Sequence, residues 1–231
     1  MGLFQKSVIK KHLSELNKEI VDNAFMRFKS NYMLSLFIVM LFAQINYGQT
    51  VTIGTQVWMT ENLDVATYRN GDVIPQVQDQ NAWSNLTTGA WCYYDNDASN
   101  GTKYDKLYNW YAVNDPRGLA PEGYHIFTDA EWTKLTDYLG GEEEAGTKMK
   151  SISGWKDNGN GTNSSGFSGL PGGRRGTNGT FYGIDGYGGW WMSTEGSAGN
   201  AWARYLYHSY GNVSGYNYGK KSGFSVRCLR D

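Results

Sequence analysis

TDAEWTKLTDYLGG, residues 128–141, carries the strongest local signal in the chain. Thr128 and Glu131 stand at capping-box spacing. The Thr128 hydroxyl can accept from the Glu131 backbone N–H while the Glu131 carboxylate accepts from the Thr128 backbone, so two donors that a helix start leaves unpaired are satisfied. A helix is therefore expected to begin there. Trp132, Leu135, Tyr138 and Leu139 recur at helical spacing as one apolar stripe, and Gly140-Gly141 offers the left-handed exit that ends it. The segments around this helix read differently. Short aromatic or β-branched runs at 167–171, 179–182, 189–193, 201–207 and 223–229 are separated by Gly-rich turns, as in a curled antiparallel sheet. Thr50–Met59 reads as a hairpin turning near Gly54, and Asn70-Gly71 as a further turn. One helix with a face to bury and several short strands make an α+β domain.

Between these elements, Ala90–Tyr94 is a short aromatic run ending in a polar loop, Asp95–Gly101. Leu107–Val113 favours a helix, because Leu107, Trp110 and Tyr111 share one face. Residues 153–166 form a Gly/Asn/Ser loop that no regular element would tolerate. Composition agrees with a turn-rich, aromatic domain: 30 Gly, 17 Tyr and 9 Trp stand beside 4 Pro in 231 residues. Lys plus Arg number 21 against 22 Asp plus Glu, so no broad field draws the chain to nucleic acid or an anionic membrane.

The amino-terminal part reads as targeting sequence. Met26, Arg27 and Lys29 begin a basic region, and the apolar run Met33–Ala43 is too short to cross a bilayer, as in a secretory signal. Cleavage is expected after Gly48, with Ala43 as the alternative. That divides the chain into 1–25, an upstream extension or mis-assigned start, 26–48, the signal, and 49–231, one domain. Export to the surface, the periplasm or the medium is expected, with no membrane insertion once the signal is removed. No Cys follows the apolar run, which disfavours a lipid anchor.

Seven segments in order, TIGTQVWMTENL (52–63), AWCYYDND (90–97), KLYNWYAV (106–113), GLAPEGYHIFTDAEW (118–132), GFSGLPGGRR (166–175), GGWWMSTE (188–195) and GFSVRCLRD (223–231), resemble the Fibrobacter succinogenes major paralogous domain. The chain departs from the family at Tyr124, where Trp is usual, and at Phe127, where Pro is usual. That family is distantly similar to the formylglycine-generating, sulfatase-modifying fold. The resemblance implies a C-type-lectin-like architecture: a twisted antiparallel sheet flanked by two helices, long Gly/Asn-rich loops and neighbouring termini. It implies no activity. The related oxidase uses two cysteines a few residues apart, whereas Cys228 here has no such neighbour.

No enzyme site assembles from the remaining residues, and no catalytic residue is expected. The histidines are His12, His125 and His208, too few and too scattered for a zinc spacing, and no nucleophile motif is present. His125 reads as structural, Asp129 and Glu131 as capping. No cofactor is required. Calcium stays open at Asp95–Gly101, although Asn100 stands where an EF-hand needs Gly and Lys106 where it needs Glu. Cys92 and Cys228 are expected to form a disulfide, closing a loop of about 135 residues and contributing roughly 4–5 kcal/mol in the chain-entropy view, the alternative being two buried thiols.

The segment Trp202–Lys221 is rich in Tyr, Ser, Gly and Asn, the composition of recognition loops, in which Tyr supplies a large rigid contact and the small polar residues adapt. An ordinary hairpin with aromatic cross-strand pairs is the alternative. Trp202, Tyr205, Tyr207, His208, Tyr210, Asn212, Tyr216 and Tyr218 are the candidate ligand-binding residues. The expected partner is a glycan or protein outside the cell. A self-associating surface domain and a sulfatase-modifying-like enzyme are the other readings. The Tyr, His, Ser, Asn pattern at 205–218 also resembles the variable region of retroelement-diversified proteins.

Overall fold

The computed structural model describes residues 49–231. The expected extension at 1–25 and signal at 26–48 lie outside the described residues. In chain order the strands are β1 (Thr50–Ile53), β2 (Gln56–Met59), β3 (Trp91–Cys92), β4 (Leu107–Asn109), β5 (Tyr124–Ile126), β6 (Arg174–Arg175), β7 (Phe181–Tyr182), β8 (Tyr187–Glu195), β9 (Asn200–Tyr207), β10 (Val213–Gly219), β11 (Gly223–Phe224) and β12 (Cys228–Arg230). The helices are α1 (Gln80–Ser84), α2 (Ala98–Tyr104), α3 (Trp110–Val113), α4 (Asp129–Tyr138) and α5 (Glu142–Met149). This is a mixed α+β fold.

The strands form three antiparallel sheets rather than the single curled sheet expected: β1-β2-β12-β5, β10-β9-β8 and β3-β4-β11-β6-β7. The opening hairpin turns through Gly54 at φ +63°, and Leu229 of β12 pairs with Trp58 of β2, so the first and last strands share a sheet. Arg227 fixes that closure. Fully buried, it donates to the carbonyls of Met59 (3.1 Å) and Phe167 (2.6 Å) and to Asn62 Oδ1 (2.7 Å), and burial lowers its pKa to about 10.

The sheet β8–β10 separates two apolar cores. On β8, Trp190 packs with Trp58, Phe127, Trp132 and Phe167, while the next residue, Trp191, points the other way against Phe224 and Tyr205. Adjacent strand residues face opposite sides, which is how one strand fills both cores. Helix α4 docks on the first. Its capping box forms as expected, Thr128 N–H donating to Glu131 Oε2 at 2.8 Å and Glu131 N–H to Thr128 Oγ1 at 3.3 Å. Trp132, Leu135 and Leu139 are buried, but Tyr138 is 67% exposed at the margin of the stripe, its ring lying against the Gly54 turn.

Other expectations need correction. Leu107–Val113 is a strand followed by one helical turn, because the Asn109 side chain accepts from the Ala112 N–H and starts the turn. Asp95–Gly101 is not an open loop: Asp97 accepts from the Ser99 N–H and caps α2. Residues 167–171 contribute one bridge, Lys150↔Gly169, and 223–229 splits into β11 and β12. The disulfide is absent. Cys92 lies on β3 opposite Leu107, within the Trp83, Tyr94 and Leu107 core, whereas Cys228 lies on β12 opposite Ile126 in a different sheet and core. Burial pushes both thiols up to about 12, so they are inert small apolar groups. No helix among the described residues is long and apolar enough to cross a membrane.

Candidate functional site

Strand alternation decides which of the expected site residues meet. Tyr205 and Tyr207 lie two apart on β9 and so share a face, their rings stacked at 5.6 Å. On β10, Tyr216 is opposite Ala203 and Tyr218 opposite Ala201, which brings both to that same face. On β8, Tyr187 is opposite Tyr207 and Gly189 opposite Tyr205. Gly189 leaves room for the rings: a Cβ there would stand 2.9 Å from Phe224 and 3.3 Å from Tyr205.

Tyr205 is the hub. At 1% exposure its ring contacts Tyr187 (5.4 Å), Tyr207, Tyr216 (5.8 Å), Tyr218 (5.4 Å) and Phe224 (5.4 Å). It underlies the face and offers no surface of its own. Tyr216 is 45% exposed, Tyr207, Tyr218 and Tyr187 are half-buried, and Tyr210, beyond the end of β9, stands edge-on to Tyr207 at 6.2 Å with 61% exposure. A rigid tyrosine surface results, its rings held by one another before any ligand arrives.

The polar side of the face is underused. Among the described residues, the buried hydroxyls of Tyr187 and Tyr205 meet no partner at full hydrogen-bond geometry, their polar neighbours being Arg174 and Tyr218. Burial, then the adjacent Tyr218 hydroxyl, hold the Tyr205 pKa well above its ordinary value. Burial pushes Tyr187 up to about 12 against the opposing charge of Arg174. Tyr187 and Tyr205 are therefore neutral O–H groups at physiological pH, able to donate and accept.

The other candidates lie elsewhere. Trp202 projects from the opposite face of β9 and packs on the Trp58–Trp132 core. His208 Nδ1 is 3.5 Å from Asp157. The Asn212 carbonyl sits where a Cβ on Gly146 of α5 would be 2.4 Å away, so Asn212 seats that helix. Three residues join the face unforeseen: Tyr187, Tyr182 and Arg174, whose guanidinium lies over the rings of Tyr182 (4.7 Å) and Tyr218 (5.1 Å). The alternation Tyr187-Gly188-Gly189 marks a strand whose side chains skip a face; Arg174 has no sequence signal beyond its Arg175 neighbour.

His125 is bridged by Asp231 (Nδ1, 2.7 Å) and Glu131 (Nε2, 2.9 Å). Within Asp95–Gly101, Asn96 donates to the Gln78 carbonyl and Asn100 to that of Tyr94. Among the described residues, no group of three or more His, Cys, Asp or Glu is placed to hold a metal ion. A cleft of about 470 Å³ lined by Glu61, Lys103, Asp105 and Ser168 shares no residue with the tyrosine face. Within it, burial and the nearby Asp64 raise Asp105 to about 6.

No curated protein and no solved structure matches the chain. The Fibrobacter succinogenes major domain matches residues 51–230, which takes in every strand and helix described above except the first residue of β1. With that span covered, the chain belongs to the Fibrobacter succinogenes major domain family.

Proposed function

We propose that this protein is an exported, C-type-lectin-like binding module that grips a saccharide with the tyrosine face of β8–β10. The observation that carries this reading is the arrangement around Tyr205: a buried ring fixes a layer of partly exposed rings, so little side-chain entropy is lost on binding. Tyrosine rings offer flat apolar surface to the C–H faces of sugar rings, and neutral phenol hydroxyls exchange hydrogen bonds with sugar hydroxyls. The helices α4 and α5 packed together on one side of β8–β10, the neighbouring first and last strands and the long loop at 153–166 support the lectin-like reading. The apolar run at 33–43 behind Arg27 and Lys29 supports export to the cell surface, periplasm or medium. No catalytic step is assigned to the chain.

The test is binding to a panel of neutral and acidic oligosaccharides by calorimetry. Tyr207→Ala and Tyr216→Ala are each expected to weaken the bound member about tenfold, since an aromatic contact is worth roughly 0.5–1.5 kcal/mol beyond its buried area. Tyr138→Ala, an exposed tyrosine on α4, leaves affinity unchanged. Wild-type affinity in both face variants, or concentration-dependent self-association abolished by Tyr216→Ala with no saccharide bound, would overturn the reading.

A further inference from the structure

Two adjacent arginines on β6 are treated in opposite ways. Arg175 is buried and fully engaged: Nε donates to the Gly179 carbonyl (2.9 Å), Nη1 to that of Val77 (2.6 Å) and Nη2 to that of Gln78 (2.7 Å). Arg174 is half-buried on the tyrosine face and, among the described residues, pairs with no carboxylate and donates to no carbonyl. It packs on the rings of Tyr182 and Tyr218 and reaches toward the Tyr187 hydroxyl. Its charge is felt at the Tyr187 and Tyr205 hydroxyls, where it opposes the upward shift that burial imposes.

A guanidinium stacked on two rings is fixed in orientation, and beyond the Tyr187 hydroxyl its in-plane donors meet no carboxylate or carbonyl among the described residues. The charged groups around it elsewhere are spent. Asp185 accepts from Tyr104 Oη at 2.6 Å, Glu195 pairs with Lys220, and Asp129 and Glu142 pair with Arg204 on the opposite side of the sheet. A planar anion would meet complementary geometry and charge there, next to the rings that would take the sugar.

Resting on the saccharide reading above, we infer that the ligand is an acidic glycan, whose uronic-acid carboxylate is taken bidentately by Arg174 while its sugar rings lie on Tyr216, Tyr218 and Tyr207. The N–H donors of Arg174 that no carboxylate of the fold takes supply specificity for the carboxylate; the tyrosines supply contact area. A neutral glycan would leave a partly desolvated cation unpaired, which disfavours it.

The experiment compares a uronic-acid oligosaccharide with its methyl ester, identical in size and ring shape, on wild type, Arg174→Gln and Arg174→Lys, each first checked by melting temperature. Wild type is expected to bind the acid at least about tenfold more tightly than the ester, with the preference shrinking as salt rises. Arg174→Gln binds the two alike, and Arg174→Lys, which keeps the charge but not the fork, retains part of the preference. Equal binding of acid and ester by wild type overturns this inference and leaves the saccharide reading standing, as does a preference that persists in Arg174→Gln. Binding of neither compound, nor of any neutral member of the panel, overturns both.

Discussion

His125 shows how a residue without catalytic work can still titrate. Burial works against its protonation, but hydrogen bonds to Asp231 and Glu131 outweigh burial and raise its pKa above the ordinary value near 6.5. Glu131 shifts the opposite way: burial would raise it, yet the Thr128 backbone and hydroxyl and then His125 hold it below the ordinary carboxylate value. A raised histidine stabilises the fold fully below about pH 6.5 and loses that contribution as pH climbs through its folded pKa. The Glu131 contribution is present above the ordinary carboxylate range and fades as pH falls through its lowered folded value. These groups are about a third exposed, so the effect is screened and small. The melting temperature of wild type is therefore expected to exceed that of His125→Gln by about 2 °C near pH 6, the gap closing toward pH 9. A gap independent of pH would contradict the two-carboxylate bridge. Thr128 and Glu131 were legible in the sequence because a capping box is a local device. The Asp231 partner of His125 was not, since it lies 106 residues away. The same distance problem misled the cysteines: parity and export allowed a pairing that the placement of β3 and β12 in different sheets does not.

At the scale of elements, legibility followed side-chain periodicity. Helix α4 and strands β8 and β9 carry strong patterns, whereas β10, reading Val-Ser-Gly-Tyr-Asn-Tyr-Gly, mixes Val213, Tyr216 and Tyr218 with two glycines and an asparagine; its seven registered pairs with β9 make the hairpin that stood as the alternative reading of 202–221. Alternation along β9 also explains why Trp202 left the expected site: it sits at odd spacing from Tyr205 and Tyr207 and so faces the other core. The glycines of β8 are equally a matter of packing between elements. A Cβ on Gly188 would stand 2.3 Å from the Leu170 carbonyl oxygen and 2.6 Å from the Trp190 ring, so Gly188→Ala should cost about 2–3 kcal/mol in urea unfolding. Gly199→Ala, with nothing within 4 Å, should leave the midpoint near wild type. Equal midpoints for the two variants would show that the approach of residue 170 to β8 is not as described.

For the molecule as a whole, the sheet β8–β10 has one role on each side. Its inner surface, with Trp190, Leu206 and Val213, closes the core under α4 and α5, and its other surface passes from the buried Tyr205 to the exposed Tyr216 and Tyr210. The tyrosine run was visible in composition; its assembly with Arg174, Tyr182 and Tyr187 depends on β6, β7 and β8 arriving from distant sequence. Burial of Tyr205 also sits poorly with a freely diversified position, because a small residue there would empty the centre of the ring cluster. The measurement that bears most directly on the central claim is hydroxyl-radical footprinting of the protein with and without a saturating oligosaccharide. Protection is expected at Tyr207, Tyr210, Tyr216 and Tyr218 with Tyr138 unchanged; protection confined to residues off this face, with these four rings as reactive as in the free protein, would contradict it.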